Sequence, residues 1–519
     1  MKRFLCLGFA LSLSMVMSGC GDTFRPIIIP NPPTFPNPAA TNTVVSINDN
    51  GAFIAGTAMA IDVSGDSVSS IANTDIHPIF AAQQSASEIL VLNQAVTGPE
   101  FPNGVGVPTS SCLVTVAQLP PPNPPPDVVL DVCPSITELN FSSTSIGSTS
   151  TITLPIYSSP NFLAVAPSAT TAYVTLPTYP PNPDPTPPLA IVPVPSVGII
   201  SIGSTNRALV GTVPIVSTPA GSTPVLSNPY ALAVTPDNTK LYVANDSACS
   251  SPPVAGMCSV SAFNTNNTDF SLSARGINGS LSSPPIYLSA RSDSQAVYAL
   301  EANGTLAYIS IVSTTGPDVL TEAAISVPGA VKMVYNGNLN QLYIPGGSQV
   351  AVVDVSQSVP ALLATIPITA VPAASRSASD PCAATTVNTL NTIDVTALPN
   401  NIQAYAGTYY QAAVGGVSYI CPQVTVIDAT SNSIGGPPIA IPGFAAYEPF
   451  CANTRFRLTM APGGDSTRAY LASCDGGMVN IIDTSTNSYI ENQPVPTGAG
   501  NGSGSQNLPQ NPVFLLAGP

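Results

Sequence analysis

The sequence predicts an all-β fold, a ring of repeated four-stranded modules, and three observations predict it. The stretch Asn228 to Asn245, NPYALAVTPDNTKLYVAN, divides into an apolar strand, a Pro-Asp-Asn turn and a second apolar strand. Pro fixes φ at the second turn position, and Asp and Asn tolerate the bent or left-handed backbone that follows. That hairpin then recurs along the chain. Composition disfavours long helices: Pro numbers 57, and charged residues are only 8% of the 519, against about 25% in an ordinary soluble domain. Ser, Thr, Asn and Pro fill the polar positions, and Pro interrupts helices while Thr, Val and Ser favour extended chain. No apolar stripe at 3.6 spacing follows the N-terminal region.

In chain order, Met1-Lys2-Arg3 is a short basic segment, and Phe4 to Val16 is an apolar run too short to span a bilayer. Met17-Ser18-Gly19-Cys20 follows, then Gly21-Asp22. These residues resemble the bacterial lipobox, with Met17 in place of the usual Leu. The resemblance implies a leader over 1–19, diacylation of Cys20 and an extracytoplasmic protein held at a bacterial membrane, the outer membrane or cell surface first. An ordinary signal peptide with a chance cysteine is the alternative. Residues 20–42 are Pro-rich without periodicity, as an extended tether would be. The remainder, 43–519, is read as one domain.

Within it, Tyr242 of the central hairpin has counterparts at Tyr173, Tyr298, Tyr343, Tyr405 and Tyr470, and Leu90 takes its place in an earlier unit. Apolar strands precede most of these, such as Phe162 to Val165 and Phe456 to Met460. A third strand follows and ends in Asp: Val350 to Asp354, Val424 to Asp428, Val479 to Asp483. A fourth leads to Pro or Gly, as in Pro438 to Pro442. Each unit is thus four strands, a to d. Tyr298 and Tyr343 stand about 45 residues apart, the length of a β-propeller blade. Seven units fit between His77 and about Thr497. An eighth is assembled from both ends, with Asn511 to Ala517 as strand a and Thr43 to Ile47, Thr57 to Val63 and Asp66 to Ile71 as b, c and d. Such closure removes an exposed sheet edge. Eight blades follow from the count, with seven as the alternative. The hairpin and the Val-Ile-Asp strands resemble the YVTN family of β-propeller repeats, over most of the chain after about residue 77.

Ten cysteines are present. Cys6 leaves with the leader and Cys20 carries lipid, so eight remain to pair in an oxidising compartment. Sequence neighbours give Cys112–Cys133, Cys249–Cys258, Cys382–Cys421 and Cys451–Cys474. The repeat register supports this, since Cys133, Cys258, Cys421 and Cys474 each stand just before strand c. Their partners fall in the same b–c loop or in the d–a loop entering that blade. Antiparallel strands put b–c and d–a loops on one face of the disc, so all four bridges are expected there, each contributing roughly 2–4 kcal/mol. Metal binding by the thiols is the rival reading, but no CxxC pair exists.

The search for chemistry is mostly negative. His77 is the sole histidine, which rules out a two-His metal site or a haem motif. A Ser-His-Asp triad would need it, yet beside Pro78 it is expected to be an exposed or locally bonded loop residue. No nucleophile elbow, phosphate-binding glycine loop or calcium loop occurs. Asp354, Asp428 and Asp483 recur once per blade, which favours turn capping, and the tyrosines are expected to pack blades. A net charge of −15 argues against nucleic acid. Without Trp, quinoprotein propellers are a poor match and sugar stacking on indoles is excluded. The first functional reading is a binding or scaffold lipoprotein, monomeric, with an envelope protein or glycan as partner and no cofactor. Insertions in loops on a rigid scaffold motivate it. The alternatives are a lactonase-like hydrolase with channel carboxylates and a divalent cation, and a purely structural envelope protein.

Overall fold

The computed structural model describes residues 43–50, 55–94, 113–116, 128–131, 133–141, 145–155, 158–177, 194–203, 207–217, 225–226, 228–245, 259–266, 268–312, 316–384, 389–447, 450–494 and 511–518. Its eight four-stranded antiparallel sheets form an eight-bladed β-propeller. Blade 1 is made from both ends of the chain: Asn511–Ala517 is its innermost strand a, followed outward by Thr43–Asp49, Ala55–Asp62 and Ser67–Ile76. Val45 pairs with Leu516 and Ile47 with Phe514, so the C-terminal strand fastens the ring. Blade 2 is Pro78–Ser85, Glu88–Asn93, Ser135–Phe141 and Ile146–Thr153, and blade 3 is Leu163–Val165, Thr171–Leu176, Ser196–Ser201 and Ala208–Pro214. Blade 4 is Pro229–Val234, Lys240–Asn245, Val260–Asn266 and Ser271–Arg275. Blade 5 is Pro285–Ala290, Ala296–Glu301, Thr305–Ser310 and Asp318–Ser326, with Ile277–Asn278 added in parallel at its outer edge. Blade 6 is Val334–Asn336, Gln341–Gly346, Gln349–Asp354 and Ala361–Pro367. Blade 7 is Asn391–Ala397, Gln403–Val414, Val417–Asp428 and Ser433–Ile434, and blade 8 is Leu458–Pro462, Arg468–Ser473, Met478–Asp483 and Ser488–Pro494. Among the described residues, helix is confined to single turns such as Phe450–Asn453.

Burial explains the sequence pattern. Strand b of blades 3 to 6 is buried at every residue, because a neighbouring blade covers each face. An uninterrupted apolar run is what such a strand needs. The outer strand Ala208–Pro214 alternates exposed with half-buried, since one of its faces meets water. At the a–b turns a left-handed residue recurs: Ala169, Asn238, Ser294, Asn340, Asn401 and Ser466 all have φ between 49° and 64°. In the central hairpin Asn238 N–H closes the turn on Thr235 O at 2.8 Å, and Asp237 Oδ1 accepts from Thr239 N–H at 3.1 Å.

Blade 7 departs from expectation. Its b and c strands run on as a long hairpin, so Cys421 lies within strand c instead of before it. The turn is Gly415-Gly416, with φ of 60° and 85°. Two consecutive left-handed residues make the tight hairpin whose twist matches the strands, and glycine takes it without a Cβ clash.

Candidate functional site

Strand a runs from the d–a side to the a–b side of the disc, which fixes the two faces. Connections on the a–b and c–d face are all short, the longest joining Ser310 to Asp318. Every long connection lies on the other face. In b–c positions these join Asn93 to Ser135, Leu176 to Ser196 and Asn245 to Val260. In d–a positions they join Pro214 to Pro229, Pro367 to Asn391, Ile434 to Leu458 and Pro494 to Asn511.

The cystines lie on that loop-rich face. Cys382–Cys421 ties the loop entering blade 7 to its long hairpin, with Cα atoms 5.7 Å apart. Cys451–Cys474 ties the loop entering blade 8 to the b–c turn of the same blade, at 5.6 Å. Cys133 is buried and disulfide-bonded. Cys20, Cys112, Cys249 and Cys258 lie outside the described residues, as do the leader, the tether and the segment Gly500 to Ser505.

His77 corrects its expectation. It is buried, at φ +53°, with Nδ1 2.9 Å from Asp49 Oδ2 at the end of blade 1 strand b. The pair ties the closing blade to its neighbour, and burial follows because the link from Ile76 to Pro78 is a single residue. The aspartates behave as turn caps: Asp428 Oδ1 accepts from Thr430 and Ser431 N–H, and Asp483 Oδ1 from Ser485 and Thr486 N–H. The Thr430 and Ser485 hydroxyls, each donating to the same oxygen at 2.6 Å, and then these amides hold both carboxyls at about 2.

The repeated tyrosines are seam pins. All six are buried, and most reach the next blade with the hydroxyl. Tyr242 donates to Asp318 Oδ2 at 2.8 Å, and Arg275 holds the same carboxylate with two bonds of 2.7 and 2.8 Å. Tyr405 donates to Asn487 Oδ1 at 2.6 Å, and Tyr470 to Asp66 Oδ1 at 3.4 Å. Burial pushes Tyr173 and Tyr343 up to about 12.

The channel is the one place where all eight blades meet. Residues at one level of strand a are matched by register, two before the partner of the tyrosine in blades 3 to 8, of Leu90 in blade 2 and of Val45 in blade 1. Phe514, Phe80, Phe162 and Tyr287 share that level with Lys332, Asp394, Ala231 and Thr459. The aromatics stack around the axis, with Phe80 centred 4.6 Å from Phe514 and 4.7 Å from Phe162, and Tyr287 5.9 Å from Phe162. Lys332 Nζ bonds Asp394 Oδ2 at 2.7 Å and sits over Phe456 and Phe514. Asp394 is engaged further by Val395 N–H at 2.8 Å and Met460 N–H at 2.9 Å.

Arg455 completes a stopper on the loop-rich side. It leaves the loop entering blade 8 and crosses the axis to bond the carbonyls of Asn161, Tyr230 and Ile286, at 3.0, 3.1 and 3.0 Å, in blades 3, 4 and 5. The guanidinium stacks on Tyr230 at 4.5 Å and Phe162 at 4.9 Å. It reaches blade 4 where the ring carries only Ala231. Burial opposes its charge and lowers its pKa. Cys451–Cys474 and the bidentate Arg457–Asp475 pair, at 2.7 and 2.8 Å, fix the loop that carries it.

Beneath the stopper the channel widens. At the level of the tyrosine partners stand Ala82, Ala164, Ala233 and Ala461, with Ser289, Val334, Thr396 and, in blade 1, Leu516. A cavity of ≈ 260 Å³ results, bounded by the aromatic layer above and by Gln83, Ser289, Tyr335, Thr396 and Ala517 towards the a–b face. Among the described residues no three His, Cys, Asp or Glu side chains come together as metal ligands. One perturbed carboxyl lies away from the channel: burial pushes Glu301 up to about 7, against hydrogen bonds from Ser282 and Ser283, with Glu322 adding to the rise. Sequence reasoning missed the stopper. The aromatic level is recoverable by aligning strand a across repeats, whereas Arg455 carries no repeat signal.

No protein-family model matches the sequence, and no curated protein matches it. Solved structures resemble it in course of chain. The periplasmic gluconolactonase PpgL of Pseudomonas aeruginosa aligns with 77% of this chain and 95% of its own, at 13% identity and a TM-score of 0.46. Apo AztD from Citrobacter koseri aligns with 92% and 98%, at 9% identity and 0.48. The dihydro-heme d1 dehydrogenase NirN aligns with 90% and 75%, at 11% identity and 0.46. At such identities the likeness concerns fold alone, and the strand order by itself identifies this chain as an eight-bladed β-propeller closed by its C-terminal strand.

Proposed function

We propose that the protein is an extracytoplasmic binding module, held to a membrane through Cys20, which captures an envelope protein or glycan on its loop-rich face. One observation carries this reading: every long connection of the ring emerges on that face, and two described cystines brace it. Function on repeat scaffolds concentrates where loops are elaborated and their bases rigid. The stopper supports it too, because a partner meeting Arg455 and its aromatic collar docks on the disc and does not thread it. The hydrolase alternative, with carboxylates around the channel and a divalent cation, has less support. The one carboxylate at the aromatic level, Asp394, is committed to Lys332 and two backbone amides.

The test is capture from envelope extract by the lipid-free protein, compared with a variant whose residues 95–133 are replaced by a short turn. Capture should be lost while the melting curve changes little. A variant altered in the a–b turn Pro236 to Thr239 should capture normally. Equal capture by wild type and the loop-replaced variant would refute the reading.

A further inference from the structure

Three places besides the long loops offer ligand chemistry: the Glu301–Glu322 carboxyl pair, the Arg455 guanidinium and the cavity beneath the stopper. The carboxyl pair is already wrapped on Ser282 and Ser283 N–H, and the guanidinium is committed to three carbonyls. The cavity is the unfilled one.

We infer that this cavity is a binding site for one small, uncharged aromatic molecule, entering from the a–b face, opposite the face proposed to dock a partner. The shape follows from the ring. Large side chains at Phe80, Phe162 and Tyr287 give way within two residues of strand to Ala82, Ala164 and Ser289, whereas Phe514 is followed by Leu516 at the rim, so space is left beneath the aromatic layer on the side of blades 2, 3 and 5. Closely packed interiors rarely keep a void of this size. An apolar cavity of about 150 Å³ already takes benzene and stays dry without it. At ≈ 260 Å³ this one has room for two fused rings.

The chemistry follows from what the lining has left to offer. Lys332 is neutralised by Asp394 at 2.7 Å. Tyr335 Oη is taken up by Ser292 Oγ at 2.9 Å and Asn340 Oδ1 at 3.0 Å. Gln83 Nε2 donates to Ser85 O at 3.0 Å. A charged ligand would lose its hydration without gaining a counter-charge, whereas an apolar one loses nothing. Direction follows as well: Arg455 and the aromatic layer bar the loop-rich side, while Tyr335, Leu516 and Ala517, near the a–b ends of their strands, are half-exposed.

The experiment is calorimetric titration of the full lipid-free protein with naphthalene, and with 2-naphthoate as its charged counterpart. Naphthalene should bind one to one and raise Tm, and 2-naphthoate should bind about tenfold more weakly or less. Ala164→Phe and Thr396→Leu, which fill the space from blades 3 and 7, should each weaken naphthalene binding by about tenfold or more, a loss of about 1.4 kcal/mol. Ser289→Leu is a third filler, and any filler that keeps the wild-type circular dichroism spectrum is read. No saturable naphthalene binding by wild type, equal binding by a folded filler, or equal binding of the naphthoate would overturn the inference. Partner capture by the fillers should be unchanged, so the two proposals fail separately.

Discussion

The seams between blades and the stopper in the channel hold the same ring together in opposite ways. In blades 3 to 8 a seam is made from the same part: a tyrosine on strand b, buried on both sides, whose hydroxyl usually finds an acceptor in the next blade. The stopper is made once per molecule from parts that do not repeat. Four aromatics, a Lys–Asp pair and one arginine come from seven of the eight blades, and Arg455 bonds Asn161 across 294 residues of chain. Seam contacts join neighbours, so breaking one loosens two blades. The stopper joins blade 8 to blades 3, 4 and 5, so breaking it loosens the ring across its diameter.

The largest effect is expected where a seam contains an ion pair. Asp318 is fully buried, and it is the common acceptor of Arg275 and of the Tyr242 hydroxyl. Asp318→Ala takes away the buried carboxylate that Arg275 and the Tyr242 hydroxyl share, which costs about 3–5 kcal/mol and should show as the steepest fall in Tm by calorimetry. Arg455→Met comes second. It strands three half-buried carbonyls and should cost about 2 kcal/mol. Its signature is different: hydrogen exchange should quicken at the starts of strand a in blades 3, 4 and 5 together, although the substitution lies in blade 8. Exchange confined to blade 8 would show that the arginine is a local ornament and not a cross-ring tie.

This division also explains what was legible in the sequence. The seams could be read because the tyrosine recurs at a spacing set by strand length, and turn residues such as Pro236-Asp237-Asn238 mark its register. The closing blade could be read because Asn511 to Ala517 repeats the pattern of strand a. The face of the two described bridges, Cys382–Cys421 and Cys451–Cys474, followed from the same register, although Cys421 lies within strand c and not before it. Its hairpin runs on because Gly415-Gly416 forms a tight turn, a signal present in the sequence but not used. The stopper could not be read. Aromatics in strand a look like ordinary core residues, and Arg455 in a loop looks like a solvated charge. Only the ring brings Ala231, which leaves the space, opposite the arginine that fills it. His77 failed for the same reason, since its partner Asp49 belongs to a strand whose place depends on closure from the far terminus.

Hydroxyl deletions sharpen the seam side of the comparison. Tyr242→Phe should cost about 1–1.5 kcal/mol, because its acceptor is a buried carboxylate at 2.8 Å. Tyr298→Phe should cost a few tenths, because its nearest acceptor is Val355 O at 3.5 Å. Equal losses from urea melts would mean that ring packing, and not the hydroxyl, sets the seam.

The smallest effect separates the regions by pH. Asp428 and Asp483, capped by the hydroxyls of Thr430 and Ser485 and by backbone amides, are held at about 2, below the ordinary carboxylate value of 3.8. A depressed folded value gives stability that is present above the unfolded value and lost as pH falls towards 2. Both groups are largely solvated, so the gain is discounted to within about 0.5 kcal/mol each. The Tm gap between wild type and Asp428→Asn should therefore be small at pH 6 and close by pH 2. Arg455 contacts backbone carbonyls and aromatic rings, none of which titrates in that window, so the gap between wild type and Arg455→Met should stay constant from pH 6 to pH 2. If it closes in parallel with the turn variant, an acid not seen beside Arg455 supports the stopper, and the contrast between repeated, acid-capped turns and a neutral, unrepeated centre fails.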